Sequence, residues 1–272
     1  MRRSDGSILG RVAALLIAVI VWPVPTRTGS LVAIDRRPYP DAIEPGFRHV
    51  HLAALVLFPA LFLVFLAVLL VDRDAFVALV IEDGVVEWAT VVGLGIAAVL
   101  ATRRARSERS RRRVWVFAAL AAGCGFVALE EISWGQRIFG IENPEFFVRY
   151  SDQKETNVHN VVQKLTRVAM KWPVGLGYVA YGALLPLALA AAFVDGEAAP
   201  RWSVARLEAL GVLVPPLALT RGFLLGGLLM LDLPTNYEEE LAELFGVLAL
   251  VLLLLMEGVR RPASLVRAPR SR

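Results

Sequence analysis

Cysteine occurs once and histidine three times in the 272 residues, so neither a disulfide framework nor a paired-cysteine metal motif can be built within the chain. Cys124 lies inside an apolar run, where a small packing role suits it better than a reactive thiol. No glycine-rich nucleotide loop and no nucleophile elbow is present. Internal repeats of the kind that build carriers from inverted halves are lacking, as are low-complexity segments, and the chain reads as one domain over residues 1–272. The net charge of +4 comes from arginine-rich connectors rather than from a basic face. That pattern argues against nucleic acid and for orientation signals and anionic-lipid contact beside membrane spans.

What the chain does have is long apolar blocks. Its apolar share is 57%, against about 45–50% for ordinary soluble proteins. The blocks are Ile8–Val24, Val50–Val71, Gly84–Ala101, Val114–Leu129, Val174–Val194, Leu207–Leu231 and Leu241–Met256. Each approaches or exceeds the roughly 20 residues that a transmembrane helix needs. The expected fold is therefore all-α: a polytopic transmembrane helical bundle of about seven spans. The first block follows Met1-Arg2-Arg3 like a signal peptide but ends in Trp22-Pro23-Val24-Pro25 without a small-residue cleavage site. It reads as an uncleaved helix, either a span or an interfacial or re-entrant helix beside six spans.

The Arg-rich loop 102–113, TRRARSERSRRR, should be cytoplasmic, and so should the tail 258–272 with its five arginines. Four blocks lie between them, which brings the chain back to the same side. The expected location is the bacterial cytoplasmic membrane with the C-terminus inside. Counting backwards leaves both basic N-terminal stretches hard to place on one side, a conflict that a non-spanning first helix removes.

The long extracytoplasmic loop, 130–173, carries a helical pattern over Asp152–Trp172. Val158, Val161, Val162, Leu165, Val168, Ala169 and Trp172 share one face, and Ser151 or Asp152 can cap it. Lys164, Arg167 and Lys171 lie opposite. Such an amphipathic helix suits the membrane interface, with its cations toward lipid headgroups. A loop helix packed on the bundle without a lipid role is the alternative.

The acids carry the functional signal. Glu82, Asp83 and Glu87, then Glu130 and Glu131, then Asp232, Glu238, Glu239, Glu240 and Glu243 all fall at block ends that the topology assigns to one membrane face. Glu87 and Glu243 lie inside the apolar boundary, where a carboxylate at mid-helix costs about 2.5–3.5 kcal/mol. Asp83 with Glu87, and Glu239 with Glu243, are spaced to share a helix face, so the two pairs could form a hard-oxygen metal site or a proton-sharing cluster. Glu238–Glu240 fit a plainer role at a helix N-terminus.

The densest polar segment is LEEISWGQRIFG, Leu129–Gly140. Trp134 suits an interfacial belt, Arg137 suits a phosphate or a carboxylate partner, and Gln136 has no structural need to be there. Farther on, Glu155 and His159 are four apart, a spacing that can hold a metal or form an acid–base pair. His49 and His51 begin the second block, on the side away from the acids.

The pairing of EEISWGQRIFG with ETNVHN, preceded by EDGVVEW and followed by YEEELAELFG, resembles a group of uncharacterised bacterial multi-pass membrane proteins. The resemblance runs from about Glu82 to Glu243 and implies architecture without an activity. The seven-helix metal hydrolases similar to alkaline ceramidases and adiponectin receptors share the span count, but their zinc rests on several histidines, including a pair near the last span that this chain lacks.

The residues therefore point to a membrane-embedded hydrolase or transferase acting on a lipid or lipid-linked substrate at the outer leaflet. Glu87, Glu130, Glu131, His159 and Glu243 are the expected catalytic set, and Gln136, Arg137 and Asn160 the substrate contacts. The cofactor stays open; a divalent metal is the candidate, with Glu131, His159 and Glu87 as its expected ligands. An ion- or proton-coupled carrier and a non-catalytic membrane docking partner are the alternatives. The nearly apolar inner halves of the spans, apart from Thr220 and Arg221, weigh against a carrier.

Overall fold

A computed structural model of the chain describes residues 45–81, 83–151, 155–194, 206–207, 210–232 and 238–259. Among these residues all regular structure is helical. The chemistry requires this of apolar segments in lipid, where each backbone N–H and C=O must find its partner within its own helix. The helices are α1 (Pro45–Val71), α2 (Arg73–Val80), α3 (Val85–Ser107), α4 (Arg111–Glu131), α5 (Gln136–Phe139), α6 (Glu145–Tyr150) and α7 (Val158–Thr166). They are followed by α8 (Lys171–Gly177), which runs through a π-helical segment, Tyr178–Leu184, into α9 (Leu185–Val194), and then by α10 (Thr220–Asp232) and α11 (Glu238–Val259).

Five stretches are long and apolar enough to cross a membrane: His49–Val71, Arg73–Ser107 (α2 and α3, separated where Asp83 turns left-handed), Arg111–Glu131, Lys171–Leu189 and Glu239–Gly258. The block Ile8–Val24 and the tail beyond Val259 lie outside the described residues. The block Leu207–Leu231 differs from expectation, because Val212–Pro216 is not helical and α10 begins only after a short 3-10 turn at Leu217–Leu219. Pro215 and Pro216 explain the break, since neither has an N–H to continue a helix. At 1.5 Å per residue α10 is about 20 Å long, short of the ~30 Å of a bilayer core.

α11 is the axis of the bundle. Its apolar window is 61% buried against 17–39% for the other four stretches, and it packs on α3, α10 and α1. α3 presents Val86, Glu87, Thr90, Gly93, Leu94, Ala97 and Ala101 as its buried face. The small residues at every fourth position, Gly93, Ala97 and Ala101, let the two helices approach closely. A Cβ on Gly93 would stand 2.6 Å from Val247, so this glycine sets the α3–α11 contact.

The single loop helix expected over Asp152–Trp172 is shorter and later. α7 starts at Val158 with Asn157 as its N-cap, and it stops where Arg167 turns left-handed (φ 56°). A new helix then starts at Lys171. Glu155 therefore precedes α7 and does not share a helical edge with His159.

Candidate functional site

α3, α4 and α11 bring their acidic ends together. One carboxylate oxygen each from Glu131, Glu240 and Glu243 lie within 4.8 Å of one another, and all three residues are half-buried. Glu243 is also within electrostatic reach of Glu239 and Glu87. Tyr178, from the π-helical segment, stands within electrostatic reach of both Glu243 and Glu131. Its ring fits there because α11 has glycine at 246, where a Cβ would overlap the Tyr178 ring and hydroxyl.

The other acids near this group have assigned partners. Glu87, 5% exposed, accepts a hydrogen bond from the backbone N–H of Asp83, which is left-handed at φ 62°. This is a reach back over the helix start in the manner of a capping box, so Asp83 and Glu87 do not pair across a helix face. Glu239 receives the ammonium of Lys171 at 2.7 Å, which ties the start of α8 to the start of α11.

Glu130 faces a different set of partners from its neighbour Glu131. It is 3% exposed and accepts from the Trp134 indole at 2.5 Å and from the His159 backbone N–H at 2.9 Å. The His159 ring Nδ1 lies 3.2 Å from the same carboxylate. The carboxylate thus favours the tautomer with hydrogen on Nδ1, which makes Nε2 the basic nitrogen. Trp134, expected to serve as a belt residue, also donates to this acid.

The backbone between the two halves is strained. Ser133, Trp134 and Gly135 are consecutively left-handed, at φ 48°, 56° and 79°. Two of the three are not glycine, and such residues persist only where the surroundings hold them. Here the Ser133 hydroxyl donates to Glu155 at 2.9 Å, and Glu155 also accepts from Asn157 at 3.3 Å. Gln136 accepts from the Thr156 backbone N–H at 3.0 Å. The segments Leu129–Gly140 and Glu155–Asn160 are therefore joined by side-chain to backbone and side-chain to side-chain bonds into one unit around Glu130.

Of the residues singled out by the sequence, the structure places Glu131 and Glu243 in the acid trio, with Glu87 beside them. Glu130 and His159 form a pair, Gln136 holds the Thr156 N–H in the joined segments, Asn160 is buried in α7, and Arg137 lies in α5. Of the three expected metal ligands only Glu131 belongs to the close trio, whose other members are Glu240 and Glu243. Glu240 looks like a helix-start acid in sequence. Its spacing of three from Glu243 is the signal that could have found it.

The polar and apolar sides of this region are inverted relative to a soluble protein. Asn157, Asn160 and Ser151 are buried, while Trp134, Phe139, Val158, Leu165, Val168 and Trp172 are exposed. The chain matches no family model, no curated protein and no solved structure.

Proposed function

We propose that this chain is a multi-pass enzyme of the cytoplasmic membrane, a hydrolase or transferase that acts on a lipid or lipid-linked substrate at the outer face. The observation that carries the reading is the split at the end of α4, where Glu131 joins an acid trio and Glu130 holds an imidazole. Three carboxylates so close in a low-dielectric setting cannot all stay ionised without a cation or shared protons. An all-oxygen set suits a hard divalent ion such as Mg²⁺, Mn²⁺ or Ca²⁺ rather than zinc. Glu131, Glu240 and Glu243 are its ligands, and a bound cation would supply charge stabilisation to a phosphoryl or acyl oxygen. His159, oriented through Nδ1 by Glu130, would accept at Nε2 the proton of the attacking water or hydroxyl and return it to the leaving oxygen as the ester bond breaks. The exposed apolar residues around Trp134, Leu165 and Trp172 let the loop sit in the outer leaflet, so that substrate arrives from lipid. Orientation follows from the Arg-rich loop and tail on the cytoplasmic side.

Elemental analysis of the purified protein, paired with a screen of lipid esters and phosphoesters, tests this. Wild type should hold a stoichiometric divalent metal. Glu243→Gln should lose both metal and turnover, whereas His159→Ala should keep the metal and lose turnover. A wild type prepared without chelator that carries no metal and turns over no lipid substrate would end the proposal.

The alternative, an ion- or proton-coupled carrier, draws on one observation absent from the sequence reading. α11 also buries Glu257 at its far end, paired with Arg113. Cation or proton uptake into proteoliposomes, abolished by Glu243→Gln, would favour it over the enzyme.

A further inference from the structure

A second site lies at the arginine end of the bundle, away from the acids. α4, the π-helical segment, the stretch 210–213 and α11 line an open cleft of about 460 Å³. Its walls are almost wholly apolar and include Val116, Ala119, Leu120, Leu210, Leu250 and Leu253. The volume falls in the range of built small-molecule sites, roughly 300–1,000 Å³. Two features hold the wall in place. The Tyr181 hydroxyl donates to the Leu213 carbonyl at 2.5 Å. Gly211, left-handed at φ 87°, rests against Val116, where a Cβ would come within 2.9 Å.

The position of the cleft says what fills it. Gly211 lies by the backbone of Arg112, so the cleft runs along α4 from its arginine-rich start to Ala119 and Leu120. Arg111 and Arg112 are exposed at that start, and Arg103 and Arg106 are exposed at the end of α3. An open apolar cleft that begins beside the arginine-rich start of α4 matches one ligand chemistry, a phospholipid with an anionic headgroup. A neutral apolar ligand would have no use for the arginines, and a soluble anion would have no use for the cleft.

We propose that this cleft binds an acyl chain of one anionic phospholipid from the leaflet at the arginine end, with its headgroup held by Arg111 and Arg112. This inference stands independently of the acidic site.

The protein would be reconstituted into vesicles of equal phosphatidylglycerol and phosphatidylcholine, extracted in mild detergent, and its retained lipid measured by native mass spectrometry. The wild type should carry one phosphatidylglycerol. Ala119→Trp, which fills the cleft, should lose it, while Leu63→Trp, on the exposed side of α1, should not. Arg111→Glu with Arg112→Glu changes two exposed side chains and should lower the preference for phosphatidylglycerol over phosphatidylcholine by about tenfold. The double variant keeps the test open if Ala119→Trp does not fold. Wild type without retained lipid, or a preference unchanged in the double variant, would overturn the proposal.

Discussion

Glu243 and Glu257 lie on the same helix, about 21 Å apart along its axis at 1.5 Å per residue. At the far end Glu257, 2% exposed, is paired with Arg113 at 2.9 Å. Arg113 is also 2.9 Å from Glu108, and its guanidinium lies over the Phe117 ring. At the near end Glu243 faces Glu131 and Glu240, with Glu239 and Glu87 close by. The same residue type is thus buried with its charge compensated at one end and half-buried among like charges at the other. The first arrangement is what stability requires of a buried carboxylate. The second costs stability unless something else is bound, which is how sites of binding and catalysis are recognised.

The largest effect should come from breaking the compensated end. Arg113→Ala leaves the buried Glu257 carboxylate without its guanidinium, and losses of about 3–5 kcal/mol are usual for that. Thermal unfolding in detergent would register it as a large drop in Tm, and Glu257→Ala should cost less, because Glu108 still holds the guanidinium. A Tm near the wild type for both would dissolve the contrast between the two ends.

Glu243→Gln should have the opposite character. Removing one of several like charges relieves repulsion, so apo protein should be as stable as wild type or slightly more so, while any metal and any activity disappear. Melting curves with and without Mg²⁺ or Mn²⁺ would sharpen the comparison, since ligand-linked stabilisation should be seen in the wild type and be absent in the variant. A Glu243→Gln protein that melts well below the wild type without metal would mean that the trio is structural.

The smallest effect concerns pH at the arginine end. Glu108 is pushed up by partial burial, but hydrogen bonds from Arg113 and from the Arg109 and Ser110 backbone N–H groups outweigh this and hold its carboxyl below the ordinary value of 4.5. A carboxyl lowered on folding adds stability that is fully present above the ordinary value and is lost as pH falls through the lowered one. Acidification below pH 4.5 should therefore weaken the wild type slightly more than Glu108→Gln. Parallel curves for the two would show that Arg113 depends on Glu257 alone.

Much of this architecture is legible from residue type and order. The apolar runs specify long helices and the acids are visibly gathered at block ends, whereas the break at Pro215 and Pro216 falls inside a block that reads as one span. The loop helix is less legible. The apolar spacing continues from Val158 to Trp172, yet the chain turns left-handed at Arg167. Side-chain period reports which face is apolar and says little about where backbone hydrogen bonding is interrupted. The roles within Glu130-Glu131 are not legible at all, because adjacent residues on a helix point about 100° apart and either could face either partner.

By itself the sequence determined that the described chain would be helical and that its acids and arginines would fall at opposite ends of the blocks. Hydropathy and residue order are enough for that. Only the tertiary structure decided that Glu131 joins Glu240 and Glu243 while Glu130 takes His159 and Trp134, and that Glu257 meets Arg113. A soluble helix reveals its rotation by one apolar stripe, but these spans are apolar nearly all round. Their rotation is set by close contacts such as Gly93 against Val247 and the Tyr178 ring beside Gly246, which exist only once the helices are packed.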